Sequence, residues 1–462
     1  MFRTALLILS GNAMTSLLSL ARNLVIARLI PVGDYGIAAT FAIAMSLIEM
    51  ISAMGLQQQI VQAKEGDNDR FQAALQGFQA LRGLLSGMVL FAAAGPIADF
   101  MNLPDLVWAY RLVALIPVLN GFVHFDVYRL NRYMRFGPMI LSTLVPVAIS
   151  LIAVWPLALW FGDYRVMLYA IMIQALLTVA LSHLVAERRF RMVFDRAIMG
   201  RSLAFGWPLL INNVLLFGVF QGDRLLVGRE LGVEVLAIFS IGVMLTLTPT
   251  LVMSKSMLNF FLPQLSKAGD PVRFARLATM TMQVALLNGT VMMVGVFLLG
   301  KPLVDLVLGL KYADVVPLLG ALSVIQALRV AKSGGAVVAL ARGQTGNAMI
   351  SNLCRVATLP LIWIALVRGD GLWVVIGLAI CGELAGYAVS LILVWWRLDQ
   401  RLGPLVPSMV VGGLLAALVA LPESERLAWE LRTALVLGLA LLQVLLMSEL
   451  RRLGLRVLGR TR

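Results

Sequence analysis

The chain has 462 residues, of which 60% are hydrophobic and 13% are charged, and its mean hydropathy is +0.90. Soluble domains carry about 25% charged residues, so this composition excludes an ordinary soluble protein. The formal net charge of +14 is explained by basic loops at a membrane surface, and it does not require a nucleic-acid partner.

Apolar segments long enough to cross a bilayer recur along the whole chain, since about 20 apolar residues form one helical span. The first segment follows Arg3 and resembles a signal peptide, but it continues to Ile30 without a cleavage site, so we interpret it as a span. We predict an all-α, polytopic membrane protein with about fourteen transmembrane helices. They cover residues 5–30, 36–61, 73–99, 105–125, 137–160, 164–186, 203–228, 234–260, 277–300, 313–331, 346–367, 371–396, 405–421 and 431–449.

The positions of the basic residues support this topology. With both termini in the cytoplasm, 23 of the 38 Lys and Arg fall in cytoplasmic segments, seven fall on the opposite side and eight fall within or near spans. Such a bias is what the positive-inside rule predicts. The largest loop has about fifteen residues, so we expect no appended soluble domain. An enzyme would have to work within the membrane or at its surface.

Two halves of the chain resemble each other. Leu24–Arg28 (LVIAR) corresponds to Leu225–Arg229 (LLVGR), and the loop Gly66–Phe71 corresponds to Gly269–Phe274 at a similar offset. Parallel repeats of this kind are a transporter architecture, with the substrate handled between the halves. We predict an N-terminal six-helix lobe at 1–197, a C-terminal six-helix lobe at 198–397, and two extra transmembrane helices with a basic cytoplasmic tail at 398–462.

Charged residues occur inside the predicted spans, where an Arg or Lys at a helix centre costs about 2.5–3.5 kcal/mol. The excess is positive, whereas a closed structural network tends toward neutrality. We therefore predict a cationic, water-accessible cavity that binds the substrate. Its predicted lining is Arg22, Arg82, Arg111, Arg224, Lys255, Arg329 and Arg355. Candidates for coupling transport to a proton or sodium gradient are Glu49, Asp223 and Glu383.

A structural explanation stays open for part of this charged set. Arg28, Lys332 and Asp126 lie near span ends, where long side chains reach the interface. Asp223 and Arg224 could belong to a structural polar network, and Glu49 could simply pair with a nearby Arg. Arginines in a cavity suit the oxygens of a phosphate or pyrophosphate group. The HExxH, P-loop and GxSxG motifs do not occur, so we expect no metal, no cofactor and no catalytic residue.

Several segments resemble one family. Ala27–Gly36 (ARLIPVGDYG) is similar to the signature after the first helix of bacterial Wzx-type oligosaccharide flippases, the polysaccharide transport branch of the multidrug/oligosaccharidyl-lipid/polysaccharide exporter superfamily. The resemblance spans most of residues 10–400. It continues in Gly55–Leu56, Ile60–Lys64, Asn131–Phe136, Asp223–Gly232 and Pro263–Ser266. The chain departs from the pattern at Phe239, where Tyr is common, and at Asp163–Tyr164, which leaves the subfamily open.

The resemblance implies two helical lobes in the bacterial inner membrane that open alternately to the cytoplasm and the periplasm. It implies a flippase, not an enzyme, that moves polyprenyl-pyrophosphate-linked oligosaccharides for O-antigen, capsule or exopolysaccharide assembly. Implied partners are this lipid-linked substrate, membrane lipids, and a polysaccharide polymerase with other assembly proteins. A lipid II-type flippase and a drug/cation antiporter of the same superfamily are alternatives, although a cationic drug would prefer an acidic cavity. A membrane glycosyltransferase or polymerase is an alternative of a different class.

Overall fold

The computed structural model describes residues 2–421 and 429–452, and the side chains of these residues except at 2–10, 12 and 208. The described residues form α-helices and short 3₁₀ turns and no β-strand, so the all-α prediction is confirmed. The helices are α1 Phe2–Leu29, α2 Val32–Ser52, α3 Leu56–Gln62, α4 Asp69–Phe100, α5 Val107–Val113, α6 Leu115–Gly121, α7 Asp126–Arg132, α8 Gly137–Trp160, α9 Arg165–Leu184, α10 Arg196–Glu230, α11 Gly232–Ser266, α12 Pro271–Val307, α13 Val316–Ala341, α14 Gly346–Val356, α15 Leu359–Val367, α16 Leu372–Leu398, α17 Val406–Ala420 and α18 Trp429–Leu445.

Each of the fourteen predicted spans overlaps at least one of these helices. Within the described residues, eleven helices are long and apolar enough to cross a membrane, or twelve if the bent pair Pro104–Gly121 and Asp126–Arg132 is one span. The chain is therefore a multi-pass membrane protein. The count of fourteen and the cytoplasmic termini stay predictions, and the predicted basic tail beyond residue 452 lies outside the described residues.

The chain divides into two compact units, Met1–Ala237 and Ile238–Arg462, and the boundary lies inside α11. In the first unit, α10 packs on α2 and α4. The sequence repeat predicts a different lobe boundary, at residue 197, and that boundary stays a prediction.

Helix α4 is central to the first unit, where α2, α5, α6 and α10 contact it. Two glycines one turn apart on α4 meet the backbone of the α5–α6 region. A Cβ added to Gly83 would lie 2.5 Å from the carbonyl oxygen of Pro117. A Cβ added to Gly87 would lie 2.8 Å from the carbonyl oxygen of Ala114. Small residues at this spacing let helix backbones approach closely in membranes. They hold α6 against the middle of α4.

The outer face of the first unit is apolar. On α8, Ile152, Trp155, Leu159 and Trp160 are 64–84% exposed. An apolar patch of this kind is a liability in water but matches the hydrocarbon of a bilayer. The second unit is built around the helices α12, α13 and α16, with α17 and α18 packed together beside them.

Candidate functional site

Two helix interruptions lie close together in the first unit. Helix α2 ends at Ser52 and α3 begins at Leu56, after Gly55 with a left-handed φ of 67°. Helix α6 ends at Gly121 and α7 begins at Asp126. Interrupted backbone within a membrane protein is tolerated where other protein groups or water satisfy its polar atoms.

Glutamines on one face of α4 satisfy much of the second interruption. Gln76 accepts a hydrogen bond from the Phe125 amide at 2.9 Å and donates to the Val123 carbonyl at 3.2 Å. Gln79 donates to the Asn120 carbonyl at 3.3 Å. Both glutamines are at most 6% exposed. Their position inside an otherwise apolar helix is explained by the unpaired backbone beside them.

A polar cavity of about 530 Å³ lies between the two interruptions, within the range of roughly 300–1,000 Å³ for small-molecule sites. Its lining comes from α2, α3, α4, α6, α7, α9 and α10 and is rich in amides and hydroxyls. The polar side chains are Glu49, Ser52, Gln57, Gln58, Gln79, Arg82, Ser86, Asn120, Tyr128, Thr178 and Asn213. We call this space the unit-1 cavity.

Arg82 belongs to α4, and its side chain contacts the C-terminal end of α2. Its Nη1 donates to the Ser52 carbonyl at 3.0 Å and to the Ser52 hydroxyl at 3.3 Å. A cation at a helix C-terminus is stabilised by the helix dipole. The Nε of Arg82 is buried and makes no hydrogen bond to any described residue. One side of the guanidinium is thus anchored, while a second donor is unused.

Glu49 provides the negative charge of the unit-1 cavity. Asn120 donates from Nδ2 to Glu49 Oε1 at 3.0 Å, and the carboxylate interacts electrostatically with Arg82. Across the described residues that line the cavity, Arg82 is the one cation and Glu49 the one carboxylate. The charge of the lining is therefore balanced.

The other predicted cations of the first unit lie outside this lining. Arg22 is 7% exposed and donates to three neutral side chains. Arg224 follows the half-buried Asp223 on α10 and donates to a glutamine one turn earlier at 2.9 Å. Arg111 is exposed, with its guanidinium 5.2 Å from the centroid of the Phe91 ring. The structure does not gather these cations around the unit-1 cavity.

In the second unit, three cations surround one carboxylate. Arg329 Nε lies 2.6 Å from Glu383 Oε1, Lys332 Nζ lies 3.0 Å from Oε2, and Arg355 Nε lies 3.6 Å from Oε1. Glu383 and Arg355 are fully buried, and Lys332 is only 8% exposed. Lys332 is thus ion-paired rather than snorkelling. Lys255 is exposed on α11.

The second unit also contains an apolar cavity of about 590 Å³ between α12, α13, α16 and α17. Aliphatic side chains such as Leu286, Val324 and Leu391 dominate its lining. The polar side chains Thr290 and Gln443 bond to each other, since the hydroxyl donates to the amide oxygen at 2.6 Å. Such a cavity suits a hydrocarbon chain.

The predicted site residues therefore fall into separate groups. Arg82 lies with Glu49 in the unit-1 cavity, whereas Arg329 and Arg355 lie with Glu383. Gln79 and Asn120 line the unit-1 cavity but were not predicted from the sequence. The glutamine row at 72, 76 and 79, which keeps one helix face polar, was the available signal. Among the described residues, no group of three or more His, Cys, Asp or Glu could hold a metal ion.

A family model described as "Polysaccharide biosynthesis protein" matches residues 25–317. The succinoglycan biosynthesis transport protein ExoT of Rhizobium meliloti is 24% identical over 305 residues, which cover 65% of this chain and 60% of that protein. The teichuronic acid biosynthesis protein TuaB of Bacillus subtilis is 22% identical over 313 residues, 64% of this chain and 62% of that protein. The chain thus spans about 60% of the length of these two curated relatives.

Solved structures share the fold. The lipid II flippase MurJ, in an inward closed conformation, matches with a TM-score of 0.71 at 14% identity over 98% of this chain and 99% of that chain. An inward-facing multidrug resistance MATE family transporter of the MOP superfamily matches with a TM-score of 0.67 at 14% identity, over 83% of this chain and 94% of that chain. At these identities the likeness concerns the fold.

Proposed function

Because the chain belongs to the polysaccharide biosynthesis protein family, whose model matches residues 25–317, we propose that it moves a lipid-linked oligosaccharide across a membrane during polysaccharide assembly. It is a multi-pass membrane protein with the fold of MOP superfamily transporters. The finer proposal is a flippase of the bacterial inner membrane that carries a polyprenyl-pyrophosphate-linked glycan by alternating access. Its partners would be membrane lipids and, at a later step, a polymerase and other assembly proteins.

The observation that carries this proposal is the unit-1 cavity. It places Arg82, Glu49 and many amides inside a bundle of apolar, membrane-length helices. Charges and amides at such depth are costly and typically mark a substrate pathway. A passive anchor would have no use for this cavity.

The apolar cavity of the second unit supports the lipid-linked part of the proposal. Its lining is mainly aliphatic, with Thr290 and Gln443 bonded to each other. A hydrocarbon chain gains from such a lining and loses no hydrogen bonds there. We propose that the lipid of the substrate contacts this cavity during transport.

The seven predicted substrate-binding cations are supported to different degrees. Arg82 lines the unit-1 cavity, and its role in substrate binding is our leading proposal. Arg22, Arg111, Arg224, Lys255, Arg329 and Arg355 stay proposed pathway residues, to be tested one by one. A variant with reversed charge at both Arg22 and Arg355 would not separate a transport defect from misfolding. Both side chains are buried in polar networks, and charge reversal there would disrupt folding. For coupling to a proton or sodium gradient, Glu49 is the strongest of the proposed acids because it lines the unit-1 cavity.

Transport can be tested in liposomes that contain the purified protein and a fluorescent lipid-linked oligosaccharide. We expect protein-dependent movement of the sugar between leaflets without chemical change. Arg82→Ala should slow this movement by at least about tenfold, because a charge-assisted hydrogen bond contributes about 1.5–3 kcal/mol. Arg273→Ala, at an exposed arginine of α12, is the matched control and should retain the wild-type rate.

Two results would contradict the proposal. Equal leaflet exchange with and without the protein would exclude a flippase for this lipid. A lengthened glycan in the product would instead assign the chain to the glycosyltransferase or polymerase class.

A further inference from the structure

The unit-1 cavity has the wrong charge for a diphosphate. A pyrophosphate group carries at least two negative charges and is typically bound by several arginines or lysines. The described lining contains the single cation Arg82, and Glu49 lies close enough to interact with it electrostatically. Arg82 already donates to the Ser52 carbonyl. A diphosphate placed here would lose its water and face a carboxylate.

The same lining has the right chemistry for sugar hydroxyls. A hydroxyl both donates and accepts hydrogen bonds, and amide or hydroxyl side chains do the same. Nine such side chains line the cavity: Ser52, Gln57, Gln58, Gln79, Ser86, Asn120, Tyr128, Thr178 and Asn213. They come from seven different helices, so they surround the space rather than forming one polar stripe.

Three side chains in this lining are held in place by the protein. Asn120 donates to Glu49 at 3.0 Å, and Gln57 donates to the Tyr128 hydroxyl at 3.0 Å. Asn213 donates to the Ala53 carbonyl at 3.2 Å. Groups oriented before binding lose less entropy when a ligand arrives. Arg82 adds a charged guanidinium group to the same lining.

We propose that the unit-1 cavity is a glycan site that binds the uncharged sugar units of the substrate through Gln79, Asn120 and Arg82, and that it does not bind the diphosphate. The inference rests on the proposed function for the identity of the substrate. Glu49 acts here as an acceptor for sugar hydroxyls and disfavours acidic sugars by charge repulsion. The diphosphate is bound elsewhere on the pathway.

The test uses the full-length protein in lipid nanodiscs and two probes. One probe is the phosphate-free oligosaccharide released by mild acid from the lipid-linked precursor of the source cells, and the other is inorganic pyrophosphate. Calorimetry should detect the glycan with wild-type protein. Gln79→Leu and Asn120→Leu should each weaken glycan binding by about tenfold, the loss expected for one buried hydrogen bond. Pyrophosphate binding should not change.

Gln264→Leu is the matched control, because Gln264 is exposed and bonds only to its own helix among the described contacts. Ser86→Ala, a smaller change at a buried lining hydroxyl, provides a second variant if either leucine substitution fails to fold. It should weaken glycan binding in the same direction.

The outcomes separate this inference from the proposed function. Transport of the lipid-linked sugar with unchanged glycan affinity in Gln79→Leu, Asn120→Leu and Ser86→Ala would overturn the glycan site and leave the flippase intact. Pyrophosphate binding that Arg82→Ala abolishes would overturn the proposed charge selectivity. Binding that requires a carboxyl group on the sugar would overturn the preference for uncharged units. Failure of leaflet exchange would contradict the proposed function itself.

Discussion

Arg329 and Glu383 lie 2.6 Å apart, from Nε to Oε1, and join α13 to α16 through a fully buried carboxylate. Lys332 reaches the other oxygen of Glu383 at 3.0 Å. Removal of one member of a buried ion pair leaves an uncompensated charge, which is why such clusters respond strongly to substitution.

Glu383→Ala should therefore destabilise the protein by about 3–5 kcal/mol, measured as a lower midpoint of thermal unfolding in detergent. The double variant Glu383→Ala with Lys332→Ala should recover part of this loss, because one unpaired cation is removed. Glu430→Ala, at an exposed position in the first turn of α18, should change stability by less than about 1 kcal/mol. Equal effects of Glu383→Ala and Glu430→Ala would contradict a stabilising role for the cluster.

Gly83→Ala should disturb the contact between α4 and α6. Its Cβ would lie 2.5 Å from the Pro117 carbonyl oxygen, so α6 must move. We expect a loss of about 1–3 kcal/mol from overpacking and slower transport, because Asn120 on α6 would leave its place in the unit-1 cavity. Gly95→Ala on the same helix has no atom within 4 Å of the added Cβ. It should be neutral or stabilising by up to about 1 kcal/mol, and similar behaviour of both variants in unfolding and leaflet-exchange assays would refute this packing argument.

Gly413→Phe should obstruct the apolar cavity of the second unit. Gly413 lines this cavity, and an added Cβ there meets no atom within 4 Å, so the ring can enter the open space. We expect slower leaflet exchange of a long-chain lipid-linked sugar and an unchanged affinity for the free glycan. Gly438→Phe on α18 is the matched control, since its Cβ position is equally open. Unimpaired exchange by Gly413→Phe would exclude this cavity from the lipid's path.

Asp67, in the loop between α3 and α4, should make stability depend on pH. The Tyr133 hydroxyl, with help from Arg129 and Arg188, holds the pKa of Asp67 below its ordinary value. The ionised form is thus favoured by folding, so its contribution is present above the ordinary carboxyl pKa of about 3.9. It is lost as the pH falls through the depressed pKa of the folded state.

Wild type and Asp67→Asn should accordingly differ in unfolding midpoint at pH 7 and converge at acid pH. Because Asp67 is half exposed, added salt at about 1 M should reduce the difference at pH 7 by screening. A difference that is the same at every pH would show that Asp67 acts through its shape rather than its charge.

Much of the fold follows from local sequence properties. Runs of apolar residues as long as those of α8 and α16 must become helices in a bilayer, since no other isolated segment satisfies its backbone there. Breaks near Pro31 and Gly162 are likewise local, because they depend on backbone conformation at one or two residues. These features explain why every predicted span overlaps a helix.

The grouping of charges required the tertiary structure. Arg82 and Arg355 look alike in sequence, each a lone cation in an apolar span. One lines an open polar cavity beside Glu49, while the other is fully buried beside Glu383. Whether such a cation lines a cavity or is buried in an ion pair depends on neighbouring residues from helices distant in sequence. Hydropathy carries no information about those neighbours.

By itself the sequence determined an all-helical membrane protein, its approximate spans and the excess of positive charge within those spans, because the solvent acts on each segment independently. The tertiary structure alone decided which cations pair, which one lines a cavity, and that Gln79 and Asn120 lie together there. That decision depends on close contacts such as Gly83 against Pro117, where two helices meet at a distance set by a missing side chain. Contacts of this kind join residues far apart in the chain, and no local pattern specifies them.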